Sequence, residues 1–162
     1  MRSLGAALPP DLLRALSQSD LAARLGRGLP LVTLDADGRP HPMLVSYAEL
    51  LAVEPDAIRL AVGAGGSAAR NLAERGAATL LIIEPERTVY VKCRAAGPPL
   101  VASPLARFTL RVEDVLEDAA AEWEGGARIT AGIGYAPVLG VDSPQVRQTL
   151  ALLRRDDAPA AG

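Results

Sequence analysis

Short segments of alternating apolar and polar residues, separated by turns rich in proline and glycine, are the strongest constraint on how this chain folds. In residues 87–95, the side chains of Val89, Val91 and Cys93 point to one side of an extended backbone, and polar side chains point to the other. Residues 105–115 alternate in the same way. Alternation of this kind is typical of strands that bury one face, so it favours an antiparallel sheet.

Helices are predicted from apolar residues at helical spacing, from capping residues and glycines and, at residues 117–124, from acidic composition. A turn at residues 35–38 between two extended segments predicts a β-hairpin. Pro40 and Pro42 place the start of its return strand at an edge or a bulge, because proline has no N–H donor. The predicted helices are residues 11–25, 67–75, 117–124 and 145–155, and the predicted strands are residues 31–34, 41–47, 57–62, 77–84, 87–95, 105–115 and 128–135.

The order of these elements excludes a regular alternation of strand and helix, as in Rossmann-type folds. It predicts an α+β protein, mainly β, built as an antiparallel barrel with helices at its periphery. The strand at residues 77–84 is predicted to be buried on both faces, because its centre is a continuous apolar run. The length of 162 residues predicts a single domain, with residues 1–10 and 156–162 flexible.

Composition removes several kinds of site. The chain has one histidine, one cysteine and one lysine, so disulfides, Cys/His zinc sites and most nucleophilic dyads lack the residues they need. We expect Cys93 to be a small core residue and His41 to be exposed. A net charge of -2 disfavours a nucleic-acid partner, and the prolines near the start and the short apolar runs disfavour a signal peptide or a membrane partner. The sequence thus predicts a cytoplasmic protein.

A glycine-rich segment at residues 63–66, followed by Ser67, lies between a predicted strand and a predicted helix. Glycines let the backbone approach a ligand closely, and the start of a helix offers free N–H groups and a partial positive charge, which suit a phosphate. The segment lacks the Gly-Lys-Ser/Thr ending of a P-loop and the spacing of a dinucleotide fingerprint. A flexible connection with a serine cap is the alternative interpretation.

Four further motifs occur in a consistent order. Asp37-Gly38-Arg39-Pro40 precedes a strand, residues 67–72 correspond to Ser-Arg-Lys-x-x-Asn-Leu, an apolar strand follows at residues 79–83, and residues 87–91 correspond to a strand that begins Arg-Gln-Val. Over residues 11–115 the chain therefore resembles the pyridoxamine 5′-phosphate oxidase-like FMN-binding split-barrel family. The resemblance implies a six-stranded antiparallel split β-barrel, a homodimer, and two equivalent FMN sites at the dimer interface.

The resemblance also implies where FMN would bind. The isoalloxazine would lie against the strand from Met43 to Tyr47, and Thr88 stands where the family has glutamine. At three positions where the family carries a cation, this chain has Met43, Ala48 and Ala68. Charge-assisted hydrogen bonds each contribute about 1.5 to 3 kcal/mol, so their loss weakens phosphate binding unless groups such as Arg70 or Arg39 compensate. The candidate cofactor-binding residues are Met43, Val45, Ser46, Gly66, Ser67, Arg70, Asn71 and Thr88.

Two functions are compatible with these observations. The first is a homodimeric FMN-binding oxidoreductase that acts on a small molecule, in which the flavin supplies the chemistry that the scarce histidine, cysteine and lysine cannot. The second is a non-enzymatic split-barrel homodimer that has lost tight FMN binding and serves as a ligand-binding or interaction protein. Deazaflavin or haem in the same cleft are further alternatives. The three missing cations disfavour oxidation of pyridoxamine phosphate itself.

Overall fold

The computed structural model describes residues 1–85 and 87–157 and is mainly β. Its helices are α1 (Pro10–Leu16), α2 (Ser67–Arg75) and α3 (Pro144–Arg154). Its strands are β1 (Arg2–Ser3), β2 (Arg27–Leu34), β3 (Pro40–Ser46), β4 (Leu50–Glu54), β5 (Ala57–Gly63), β6 (Ala77–Glu84), β7 (Arg87–Ala95), β8 (Leu100–Ala102), β9 (Leu105–Asp118) and β10 (Ile133–Gly134).

The long strands form one curled antiparallel sheet in the order β3-β2-β6-β7-β9-β5-β4. The sheet closes into a half-barrel, and its two end strands, β3 and β4, are joined by a short 3₁₀ turn, Tyr47–Glu49. β1 and β8 add to β9, and β10 adds to β2. The predicted α+β split barrel is therefore confirmed. Within the described residues, the path has seven strands where six were predicted, because β4 was not recognised as an element of its own.

The core lies on the concave side of this sheet. β7 buries Val89, Val91 and Cys93, as its alternation predicted, and β9 buries Phe108 and Leu110 beside them. β6 departs from the prediction of burial on both faces: only Ala78, Leu80 and Ile82 are buried, and the residues between them are half-buried. A continuous apolar run cannot distinguish these two arrangements, since the outward residues are apolar as well.

Several predicted boundaries were wrong for identifiable reasons. α1 ends at Leu16, because the chain turns at Gln18, which has a φ of 64°. Its later leucines still reach the core from turns. Residues 117–124 are not one helix: the start of this segment extends β9, where Asp118 pairs with Thr88, and only Glu122–Glu124 form a 3₁₀ turn. The predicted strand 128–135 is reduced to β10.

The structure describes the N-terminal residues, but it describes the C-terminal segment only as far as Asp157. Residues 1–10 were expected to be flexible, but Arg2 pairs with Glu117 in the β1–β9 ladder and Leu8 is buried. At the other end, Asp156 and Asp157 follow α3, and residues 158–162 lie outside the described part of the chain. Glu86, between β6 and β7, also lies outside the described residues.

Candidate functional site

β3 is an edge strand. It pairs with β2 on one side, and no other described strand pairs with it. Pro40 and Pro42 are exposed, as expected for residues without an N–H donor at an edge. The open edge leaves unpaired backbone N–H and C=O groups along this strand, which a ligand or another chain can use.

The candidate residues on β3 divide between its two faces. Met43 and Val45 lie opposite Leu31 and Leu29 on the core side, and Val45 has no exposed surface. A cofactor could therefore contact Val45 only through its backbone. Ser46 faces outward opposite Gly28, on the same side as Leu44, which is 44% exposed. The outer face thus presents the side chains accessible to a ligand or partner.

The start of α2 is open to solvent. Its N-cap is Gly66, whereas Ser67 was the predicted cap, and no side chain caps the helix. Gly66 N–H donates to the Gly63 carbonyl at 3.0 Å, which closes the glycine-rich turn. Ser67 and Arg70 are exposed, so a hydroxyl, a guanidinium and the first helical N–H groups face the same solvent. In contrast, Ala68 is buried against the sheet. The resembled family carries a lysine at this position, and the alanine leaves no charged side chain there.

Asn71 connects α2 to the first hairpin. Its side chain is 4% exposed, and its amide Nδ2 donates to the Thr33 hydroxyl at 3.0 Å. The Thr33 hydroxyl in turn lies 3.4 Å from the His41 carbonyl, to which it donates. Asn71 therefore ties the middle of α2 to β2, and through Thr33 to the start of β3, so its side chain is not free to contact a ligand.

The pairing register sets the spacing of the candidate groups. β2 runs five residues, or roughly 16 Å, from Thr33 to Gly28. Thr33 accepts a hydrogen bond from Asn71, and Gly28 pairs with Ser46. Thr88 lies further away: it pairs with Ile83 of β6, and β10 lies between the ends of β2 and β6. One chain alone therefore links α2 to β3 through Thr33 but does not bring Thr88 to Ser46.

A cavity of about 310 Å³ lies at the end of β3 and was not predicted. It is enclosed by the Tyr47–Glu49 turn, the start of α3 and residues 135–139. Glu49 is its acidic group: Ser46 N–H donates to Glu49 Oε2 at 2.6 Å, and burial raises the pKa of the carboxyl. The Ser-x-x-Glu spacing of residues 46–49, typical of a capping box, is the sequence signal that could have indicated this turn. The lining consists of Leu25, Ser46, Ala48, Glu49, Tyr135, Ala136, Pro137, Val138, Leu139, Gln145, Val146 and Thr149.

Behind the same turn, Tyr47 anchors a buried polar cluster. Its hydroxyl donates to Glu84 Oε1 at 2.7 Å, and its pKa is raised by burial and by the charge of Glu84. Arg27 lies 3.0 Å from the other oxygen of Glu84, and the Arg24 guanidinium lies over the Tyr47 ring, 5.3 Å from its centre. These contacts hold the end of β3 in place, so the cluster supports the site without forming part of its surface.

The scarce reactive residues take no part in this site. Cys93 is 2% exposed, and burial raises its pKa to about 12, so the thiol is an inert core group, as predicted. His41 is half-buried at the start of β3, less open than predicted. Across the described residues there is no group of three His, Cys, Asp or Glu side chains that could hold a metal. No helix in this part of the chain is long and apolar enough to cross a membrane.

Comparison with solved structures identifies the fold. A provisionally named pyridoxamine 5′-phosphate oxidase from Lactobacillus delbrueckii superposes with a TM-score of 0.54 at 16% identity, over 72% of this chain and 99% of its own. An FMN-binding protein from Syntrophomonas wolfei gives 0.53 at 15% identity, over 68% and 88%. HupZ from Group A Streptococcus gives 0.53 at 14% identity, over 75% and 99%. The chain thus has the split-barrel fold of the pyridoxamine 5′-phosphate oxidase-like and FMN-binding proteins.

A sequence relative places the chain more narrowly. No family model matches the sequence. The uncharacterized protein YclD of Bacillus subtilis is 30% identical over 123 residues, which cover 73% of this chain and 80% of YclD. The protein therefore belongs to the family of YclD.

Proposed function

We propose that the protein is a homodimeric FMN-binding flavoprotein of the oxidoreductase type, acting on a small molecule, with the flavin along the open edge of β3. The observation that carries the proposal is the arrangement of that strand. At one end of β3, the His41 carbonyl accepts from Thr33, which holds Asn71 of α2, a helix whose start is uncapped. The other end of β3 leads to Ser46 and the cavity, roughly 16 Å away along the strand. A helix with an uncapped start, an open strand edge and a cavity are thus connected through β2 and β3.

The residues at the α2 end fit a phosphate. Ser67 offers a hydroxyl, Arg70 offers a guanidinium, and the first N–H groups of a nine-residue helix point outward. Along β3, the flavin ring would contact backbone groups and the outward side chain of Ser46. Bound there, FMN would supply electron and hydride transfer, and the protein would supply binding and orientation.

A homodimer is part of the proposal. Val32 and Leu81 are half-buried on the outer face of the sheet, and Leu44 is 44% exposed there, so this face offers apolar surface to a partner. A second copy would also be needed to bring Thr88 near a flavin on β3. We place this dimer in the cytoplasm, where a lone free thiol such as Cys93 stays reduced. Sedimentation equilibrium at micromolar concentration tests the dimer, and a monomer there contradicts it.

Flavin binding is tested first by the visible spectrum of protein purified without added cofactor, and then by titration with FMN. We expect Ser67→Ala and Arg70→Ala each to weaken FMN binding about tenfold, the effect of losing one charge-assisted or helix-end hydrogen bond. Arg111→Ala is the matched control, because Arg111 is an exposed arginine paired with Asp56 on another face. A colourless protein with no thermal shift in excess FMN would refute the proposal.

That result would support the second candidate function, a non-enzymatic split-barrel dimer that binds another ligand or partner. The observation that favours it is the burial of Ala68 and Ala48, which leaves small apolar side chains where the resembled oxidases place lysines. Such a protein would keep the fold and the dimer without the affinity for FMN. The spectrum of the native preparation also separates haem and deazaflavin from FMN.

A further inference from the structure

The cavity at the end of β3 has a strongly asymmetric lining. Most of its wall is apolar, including Leu25, Val138, Leu139 and Val146. Only two of the lining residues can carry a charge, Glu49 and Tyr135, and both become negative on ionisation. No arginine, lysine or histidine lines the cavity. Its charge therefore complements a cation.

Glu49 is held in position at the cavity wall. It ends the short turn after β3, and Ser46 N–H donates to its Oε2 at 2.6 Å. Glu49 is half-buried, and this burial raises the pKa of its carboxyl. Glu49 belongs to none of the ion pairs found among the described residues. A carboxylate in this setting gains from a cationic partner supplied by a ligand.

Tyr135 adds an aromatic wall. Its ring packs on β2, where a Cβ at Gly28 would lie 3.2 Å from Cε2, close enough that the ring would have to shift by a few tenths of an ångström. Glu49 and Tyr135 line the same cavity, and the charge of Glu49 contributes, after burial, to the raised pKa of Tyr135. An aromatic ring beside a carboxylate is a favourable setting for an ammonium group.

We propose that this cavity binds a small organic ammonium compound with an apolar body, whose charged group pairs with Glu49. The volume of about 310 Å³ equals that of about ten water molecules, so it suits a ligand of about ten non-hydrogen atoms. The apolar wall would hold the body of the ligand, and Glu49 would select its charge. Binding of the amine does not require a flavin. That the amine is the substrate rests on the proposed function, because Ser46 and Ala48 border the proposed position of the flavin ring.

The test compares three ligands of similar size and different charge: 2-phenylethylamine, 2-phenylethanol and 3-phenylpropionate. Their dissociation constants are measured by calorimetry at neutral pH, and the site is located by shifts of the backbone amide resonances of residues 135–139 and 145–149. We expect the amine to bind about tenfold more tightly than the alcohol and the carboxylate to bind more weakly than either. Glu49→Gln should abolish the preference for the amine and leave alcohol binding unchanged.

Two further variants keep the result interpretable. Glu54→Gln is the matched control, since Glu54 is an exposed glutamate on β4 and should not change the preference. Glu49→Asp retains the charge and should retain a weaker preference if Glu49→Gln fails to fold. Equal binding of amine and alcohol, or an unchanged preference in Glu49→Gln, would overturn the proposal. Amide shifts of residues 135–139 that follow protein concentration and not amine concentration would assign the cavity to a second copy instead.

The two proposals can fail separately. A colourless protein that binds the amine through Glu49 would refute the flavin and retain the ammonium site. A yellow protein whose cavity shows no preference for the amine would do the reverse.

Discussion

Tyr47 and Tyr90 each donate a hydrogen bond to a carboxylate. The bond of Tyr47 is buried and that of Tyr90 is half-exposed, so the two form a matched pair. The Tyr47 hydroxyl donates to Glu84 Oε1 at 2.7 Å, and the residue is 2% exposed. The Tyr90 hydroxyl donates to Asp118 Oδ2 at 2.8 Å, but Tyr90 lies half-buried on the outer face of β7. Replacing each tyrosine with phenylalanine removes the same atom and the same kind of bond, so burial is the main difference.

The expected loss follows from the environment of each bond. A hydrogen bond to a charged group contributes about 1.5 to 3 kcal/mol when water cannot replace it. Glu84 keeps Arg27 at 3.0 Å in the Tyr47→Phe variant, so we expect the lower part of that range, about 2 kcal/mol of unfolding free energy. For a domain of this size, that lowers Tm by about 4 to 8 °C. For Tyr90→Phe we expect less than about 0.5 kcal/mol, because water can hydrate Asp118.

Urea unfolding at neutral pH measures both values. All variants are compared at one protein concentration, since dimerisation would make the apparent stability depend on it. A Tyr47→Phe/Glu84→Gln double-mutant cycle then isolates the pairwise energy of the buried bond. Equal losses of unfolding free energy for the two tyrosine variants, or a larger loss for Tyr90→Phe, would refute the reasoning that the buried hydrogen bond between Tyr47 and Glu84 stabilises the end of β3.

Three further outcomes are expected. The Cys93 thiol, whose pKa burial raises to about 12, should remain unmodified by Ellman's reagent in the native protein and react once urea unfolds it. Burial raises the pKa of Glu49 in the folded protein. The unfolding free energy of the unsubstituted protein should therefore fall relative to that of Glu49→Gln as the pH rises from the ordinary glutamate pKa through the higher folded value. A pH-independent difference in urea midpoints would contradict this. Gly132→Ala should lower the unfolding free energy by about 1 to 3 kcal/mol, because its Cβ would lie 2.5 Å from the Ile83 carbonyl oxygen. Gly140→Ala is the control: its Cβ would meet nothing within 4 Å, so it should have no measurable effect in the same assay.

Much of the fold could be predicted because its signals are local. The alternation in β7 specifies which side chains are buried, and the sequence around α2 specifies its length, including Gly76 at φ 73° after its last turn. Acidic residues at 117–118 were predicted to be helical from composition, yet they extend β9, where Asp118 accepts from Tyr90. Their partners lie far away in sequence, so no local pattern could indicate the strand.

The candidate site was predicted less completely. The exposed, glycine-rich start of α2 was found, since glycine, serine and a helix start are adjacent in the chain. The cavity was not found, because its wall combines Leu25, the turn at residues 47–49, residues 135–139 and the start of α3. The Ser-x-x-Glu pattern indicates the turn that holds Glu49, but nothing in that pattern indicates which residues cover it.

The sequence alone determined the class of fold, the inert position of Cys93 and the glycine-rich start of α2, because these depend on periodicity and on neighbours within a few residues. Only the tertiary structure decided that Val45 faces the core and Ser46 faces outward, that Asn71 is bound to Thr33, and that Glu49 lies in an apolar cavity. These depend on strand register and on contacts between distant segments. A side chain's accessibility and charge environment are set by whatever the rest of the chain places against it.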